Sequence, residues 1–127
     1  MIVIDTSALM AILLEEPKAD ACASALEEAD RLVISAGTFA EALIVASRRN
    51  IAEELDTLIK RLGVEIVDVT PAYARLIADA YNEWGKGVHP ASLNFGDCFA
   101  YALAKSENCP LLYVGNDFSR TDIISAL

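Results

Sequence analysis

The sequence predicts an α/β protein, a three-layer α/β/α sandwich around a central, mainly parallel sheet of four to five strands. Three observations predict it. Short runs that are apolar at every residue, such as Ile2-Val3-Ile4 and Leu32-Val33-Ile34, suit strands covered on both faces. Longer stretches with apolar residues at helical spacing separate these runs. Strands alternating with helices imply crossover connections, hence parallel strands with helices on both sides of the sheet. The 127 residues fit one domain, spanning 1–127, and a hydrophobic content of 54% is ample for its core.

Met1 to Ile4 reads as the first strand. Thr6 to Leu14 is a helix stopped near Pro17, and Lys18 to Ala29 is an Ala-rich helix with an acidic outer face. Leu32 to Ile34 is the second strand. Thr38 starts a helix that runs to about Arg49. Ile51 to Leu62 makes the next, ended by Gly63. Val64 to Val69 reads as a third strand. Thr70-Pro71 opens a helix to about Trp84, with proline at its favoured first position. A turn-prone loop follows over Gly85 to Pro90, and Asn94 opens a helix to about Glu107. Leu111 to Val114 is the fourth strand, and the tail from Thr121 to Leu127 is a candidate edge strand.

Composition excludes several functions. No apolar run approaches the ~20 residues that span a bilayer. The opening MIVID is too short and acidic for a signal peptide, so the expected location is the cytoplasm. Three cysteines, Cys22, Cys98 and Cys109, with no CxxC, read as reduced thiols, and with His89 they match no familiar zinc spacing. His89 is the only histidine and lies in a Gly/Pro loop, which disfavours a Ser-His-Asp triad. The net charge of −9 argues against broad phosphate contact, leaving Arg48-Arg49 and Lys60-Arg61 as local candidates.

Sites on parallel sheets form beyond the carboxyl ends of the strands. Four acids fall there: Asp5 after the first strand, Glu41 in the first turn of the helix after the second, Asp97 in the first turn of the helix from Asn94, and Asp117 after the fourth strand. Each also has a plain structural explanation. Asp5 is placed to cap the helix at Thr6. Thr38 and Glu41 have the spacing of a capping box. Asp97 suits a helix dipole and Asp117 a turn. Asp97 is the hardest to explain away. The stripe Phe95, Phe99, Ala102, Leu103 marks a buried helix face, and Asp97 borders it with no Lys or Arg near in sequence. A carboxylate beside a core needs a partner. A hard divalent cation between Asp5 and Asp97 would relieve their repulsion, polarise a phosphodiester and activate a water.

The chain resembles the PIN-domain ribonucleases, most closely the VapC toxins of bacterial toxin–antitoxin pairs. The resemblance rests on Val3-Ile4-Asp5-Thr6-Ser7-Ala8, on Thr38-Phe39-Ala40-Glu41, on Leu93 through Ala102 around Asp97, and on Leu111 through Phe118 with Thr121-Asp122-Ile123. It implies a PIN-like fold and an acidic triad of Asp5, Glu41 and Asp97, with Asp5 and Asp97 holding Mg²⁺ or, as a substitute, Mn²⁺. Asp117 matches a variable fourth acid, a place for which Asn116 and Asp122 also stand open. Ser7 and Thr38 match residues that support the acids. Family members typically cut RNA, often tRNA or rRNA, form homodimers and are silenced by a VapB-type antitoxin whose basic or aromatic tail enters near the acids. The expected function is a metal-dependent endoribonuclease toxin. The alternative is a silent PIN-fold module that only binds an antitoxin or another protein. A DNA-directed nuclease would use the same chemistry.

Overall fold

The computed structural model describes residues 1–127. Its elements are β1 (Ile2–Ile4), α1 (Thr6–Leu13), α2 (Ala19–Glu28), β2 (Leu32–Ser35), α3 (Ala36–Arg48), α4 (Ala52–Leu62), β3 (Glu65–Val67), α5 (Pro71–Trp84), α6 (Phe95–Glu107) and β4 (Leu111–Leu112). The four strands form one sheet in the order β3-β2-β1-β4, and every pairing is parallel. The chain steps outward from β1 to β2 to β3, then returns to place β4 on the other side of β1. The order therefore reverses between β1 and β4, the crevice where parallel sheets carry their sites.

Side chains alternate across each strand, which sorts the core into two layers. Ile4, Ile34 and Leu112 face one way, onto Leu9 of α1, Leu26 of α2, Ala42 of α3 and Leu55 and Ile59 of α4. Val3, Val33 and Leu111 face the other way, onto Tyr73 and Ile77 of α5 and Cys98, Ala102 and Leu103 of α6. The expected three-layer α/β/α sandwich is thus present, with helices on both faces. No helix is long and apolar enough to cross a membrane.

Local signals explain most boundaries. Thr70 accepts the Tyr73 amide at 3.1 Å, with Pro71 at the first helical position. Gly63 closes α4 at φ +65°, a conformation that suits glycine.

The structure corrects four expectations. The helix after β2 starts at Ala36, where Thr38 was expected to open it. Ser35, the last residue of β2, is its cap and accepts the Gly37 amide at 3.2 Å. Strand runs into helix with no loop, so Thr38 and Glu41 form no capping box and Glu41 lies in the second turn. The tail is no strand either. It makes a single parallel bridge from Ser125 to Leu111, so the sheet has four strands. Phe95 does not join the buried face of α6. It is 66% exposed, because that face consists of Asp97, Cys98 and the run from Ala100 to Ala104. The basic pairs lie away from the carboxyl ends of the strands: Arg48 ends α3, about 18 Å from its start at 1.5 Å per residue. Lys60 and Arg61 sit just before β3 begins, at the opposite edge of the sheet.

Candidate functional site: an acidic crevice at the carboxyl edge of the sheet

Asp5 is the residue at which β1 becomes α1. Its Oδ2 accepts the Ser7 amide at 3.1 Å and the Ser7 hydroxyl at 2.6 Å. The Ser7 oxygen in turn accepts the Val114 amide at 3.0 Å, which ties Asp5 to the segment just past β4. Asp5 is therefore a cap, as one reading of the sequence has it, but it is also 5% exposed. Burial pushes its carboxyl up to about 6, against the Ser7 hydrogen bonds, and Glu41 and Asp117 push in the same direction.

Glu41 reaches the same place from α3. Its Oε1 accepts the Thr6 hydroxyl at 2.6 Å, across 35 positions of sequence. The first turn of α6 comes up against it: a Cβ built on Gly96 would stand 2.5 Å from Glu41 Oε2. A side chain at position 96 would displace that carboxylate end, so the glycine leaves Glu41 its place beside α6.

Asp97 holds the third position. Asn94 Oδ1 accepts the Asp97 amide at 2.8 Å, and Asp97 Oδ2 accepts the Asn94 amide at 3.1 Å, a reciprocal capping box. Asp97 is 8% exposed, as expected of an acid bordering the core. Burial raises its carboxyl to about 7, opposed by the Asn94 amide and reinforced by Asp5, Asp117 and Glu41. All the charges named here as acting on Asp5 and Asp97 are negative. The ion pairs of the chain, Met1–Asp30, Arg31–Glu65 and Lys105–Asp122, leave out all four acids.

The three candidates for the fourth place separate. Asp117 is exposed, yet near enough to act on both Asp5 and Asp97. Asp122 is engaged elsewhere: it accepts the Tyr101 hydroxyl at 2.6 Å and Lys105 Nζ at 3.0 Å, and Trp84 Nε1 donates to that same hydroxyl at 2.8 Å. Asn116 contributes its backbone carbonyl to a turn with Ser119. Of the two supporting residues, Ser7 holds Asp5. The Thr38 hydroxyl is buried and has no hydrogen-bond partner. Sequence reasoning missed Thr6 and Gly96. Thr6 looked like an ordinary helix start, and the close approach at Gly96 depends on how α6 meets α3.

No three His, Cys, Asp or Glu side chains form a ready cage for a metal ion. Mg²⁺ does not require one, since it keeps several waters and takes one or two carboxylates. The donor set fits such an ion. Asp5 and Asp97 each commit one oxygen to the protein and leave Oδ1 without a hydrogen bond, and Glu41 likewise leaves Oε2. The surplus of negative charge in a buried place is what a divalent cation offsets.

Residues 2–124 match the PIN domain family. The chain belongs to that family, within its VapC branch. It is similar to ribonuclease VapC28 of Mycobacterium tuberculosis, at 44% identity over 98% of this chain and 97% of the relative. With ribonuclease VapC30 of the same species it shares 45% identity over 95% of both chains. Solved structures with the same fold include Mycobacterium tuberculosis VapC20, a sarcin–ricin loop cleaving toxin, at TM-score 0.78 and 15% identity over 98% of this chain and 97% of that one. VapBC2 from Rickettsia felis, bound to a promoter DNA fragment, superposes at TM-score 0.74 and 21% identity over 98% and 96%.

Proposed function

We propose that the protein is a metal-dependent endoribonuclease acting as the toxin of a toxin–antitoxin pair. The observation that carries the reading is the meeting of Asp5, Glu41 and Asp97 in one crevice, the two aspartates buried, Glu41 half-buried, and none with a counter-cation. Its relatives' standing as VapC ribonucleases agrees with it.

Asp5 and Asp97 would hold Mg²⁺ or Mn²⁺ through their free Oδ1 atoms. Bound there, the ion supplies charge neutralisation for a phosphodiester and an acidic water for in-line attack on phosphorus. The chain's own part is positional. Ser7 fixes the rotamer of Asp5, the Asn94 amide fixes Asp97, and the Thr6 hydroxyl holds Glu41 by one oxygen. Glu41 Oε2 is left to accept the water's proton, while the leaving oxygen is protonated from solvent.

RNA is the substrate, with tRNA and rRNA the classes to try first. A VapB-type antitoxin is the partner, and a homodimer the assembly. The three free thiols suit the cytoplasm. The reading is tested with antitoxin-free protein on total cellular RNA, with Mg²⁺, with Mn²⁺ and with EDTA. Discrete fragments that require the metal are expected. Folded protein that binds the antitoxin yet leaves RNA whole in both metals would identify a silent binding module instead.

A further inference from the structure

Phe95 is the one aromatic among the large apolar side chains that stand exposed, at 66%. We propose that its ring is a stacking platform for an unpaired RNA base beside the scissile phosphate. The inference rests on the ribonuclease reading above and adds to it a residue that selects and positions the strand.

Position is the first argument. Phe95 opens α6, adjacent to Gly96, which lies against Glu41, and two residues from Asp97. A nucleotide whose phosphate lies at the acids would bring a neighbouring base within reach of this ring. Support is the second. Phe95 packs edge-to-face on Phe99, centroids 4.9 Å apart at 74°. Phe99 is itself wedged over Gly37, where any Cβ would fall 2.2 Å from its ring. The Phe99 carbonyl also accepts the Tyr73 hydroxyl. An edge-to-face contact of this kind steadies a ring and occupies at most one of its faces, so the platform is held before any base arrives.

Electrostatics favour the same role. With a net charge of −9 and both basic pairs away from the crevice, few cations are left for phosphate contacts, Arg120 three residues past Asp117 among them. Base–aromatic stacking works without charge, and unpaired bases are what RNA-reading proteins stack on aromatic side chains. A phenylalanine left largely exposed on a nuclease rim fits that role.

The test uses a single-stranded oligoribonucleotide spanning a cut mapped with the wild-type protein in Mg²⁺. Phe95→Ala should raise KM about 5- to 150-fold, the range one base–aromatic stack is worth. Its kcat should stay within about twofold, since the ring touches no reacting atom. Phe95→Trp should restore KM, whereas Phe95→Leu, equally apolar but without a π face, should not. Removing the neighbouring base to leave an abasic site should raise the wild-type KM and leave Phe95→Ala unmoved, the mark of a direct pair. An unaltered KM in Phe95→Ala, or Leu serving as well as Trp, would overturn the proposal. So would a change of oligomeric state on gel filtration, which would assign the ring to a subunit contact. Wild-type protein that neither cuts nor binds RNA would instead sink the ribonuclease reading, and this inference with it.

Discussion

Replacing Asp97 by Asn should abolish cleavage and make the metal-free protein more stable at alkaline pH. The Asp97 carboxyl is raised from 3.8 to about 7 in the folded chain. A raised carboxyl binds its proton more tightly folded than unfolded. Stability is therefore greatest below the unfolded value and falls as pH rises from about 4 through about 7. At about 1.4 kcal/mol per unit the full shift corresponds to roughly 4 kcal/mol. Water at the mouth of the crevice screens part of that, leaving about 2–3 kcal/mol once the group is ionised. Asn carries no charge, and its oxygen still accepts the Asn94 amide, so the capping box survives. For a chain of this length, with about 2.1 cal/mol/K per residue of unfolding entropy, the gain is about 7–11 °C in Tm. The assay is thermal melting by circular dichroism in EDTA at pH 8.5 and pH 4, for wild type and Asp97→Asn. The variant should melt higher at pH 8.5 and level with wild type at pH 4. Adding Mg²⁺ at pH 8.5 should stabilise wild type and not the variant. A variant that melts lower at pH 8.5, or gains equally at both pH values, would refute the argument and make Asp97 a structural acid.

Two further outcomes follow from the hydrogen bonds around the acids. Glu41→Gln keeps an oxygen for the Thr6 hydroxyl, so its melting should shift by less than about 0.5 kcal/mol. Its kcat should fall about 100-fold or more, the usual worth of a positioned base, and full activity would remove Glu41 from the chemistry. Ser7→Ala leaves the Val114 amide unpaired and reduces Asp5 Oδ2 to its bond from the residue-7 amide, which should cost about 1–3 kcal/mol in melting experiments. Because Ser7 holds the Asp5 carboxyl down, its loss should also move the acid limb of the pH–activity profile to higher pH. An unmoved limb would show that Ser7 only braces the turn.

What was legible in the sequence was whatever two-faced burial or misplaced charge makes visible. Val3-Ile4 and Val33-Ile34 read as central strands because both faces of the sheet demand apolar side chains, and the two core layers divide each pair. Asp97 read as exceptional because an acid beside an apolar helix face, with no base nearby, has no cheap local explanation. The failures arose where tertiary packing overrode a local pattern. Thr38 and Glu41 have capping-box spacing, but Ser35 starts the helix straight from the strand. The first turn of that helix passes under the Phe99 ring, where Gly37 brings no side chain to meet it. Phe95 continues the apolar spacing of α6, yet spacing does not reveal where the packed face of a helix ends. Thr6 and Gly96 were illegible for a related reason: their roles exist only between elements, one in a bond to Glu41, the other in the space it leaves beside the same residue.

The acids themselves connect site to stability. Three carboxylates, from the residue after β1, from α3 and from α6, meet at the point where strand order reverses, and hydrogen bonds from Ser7, Thr6 and Asn94 hold one oxygen of each. Those bonds orient the groups but do not cancel the repulsion and desolvation that raise Asp5 and Asp97. A fold optimised for stability alone would place neutral side chains there, because an amide oxygen can accept the same hydrogen bonds without the cost of a buried charge. The capping explanation and the catalytic one therefore differ in a single physical consequence. A cap favours folding when it is charged, since an ionised oxygen at a helix start strengthens the bond and meets the dipole. An acid kept for a cation opposes folding when charged and alone, and favours it only with the cation bound. The sign of the pH dependence, read with and without Mg²⁺, decides which of the two Asp5 and Asp97 are.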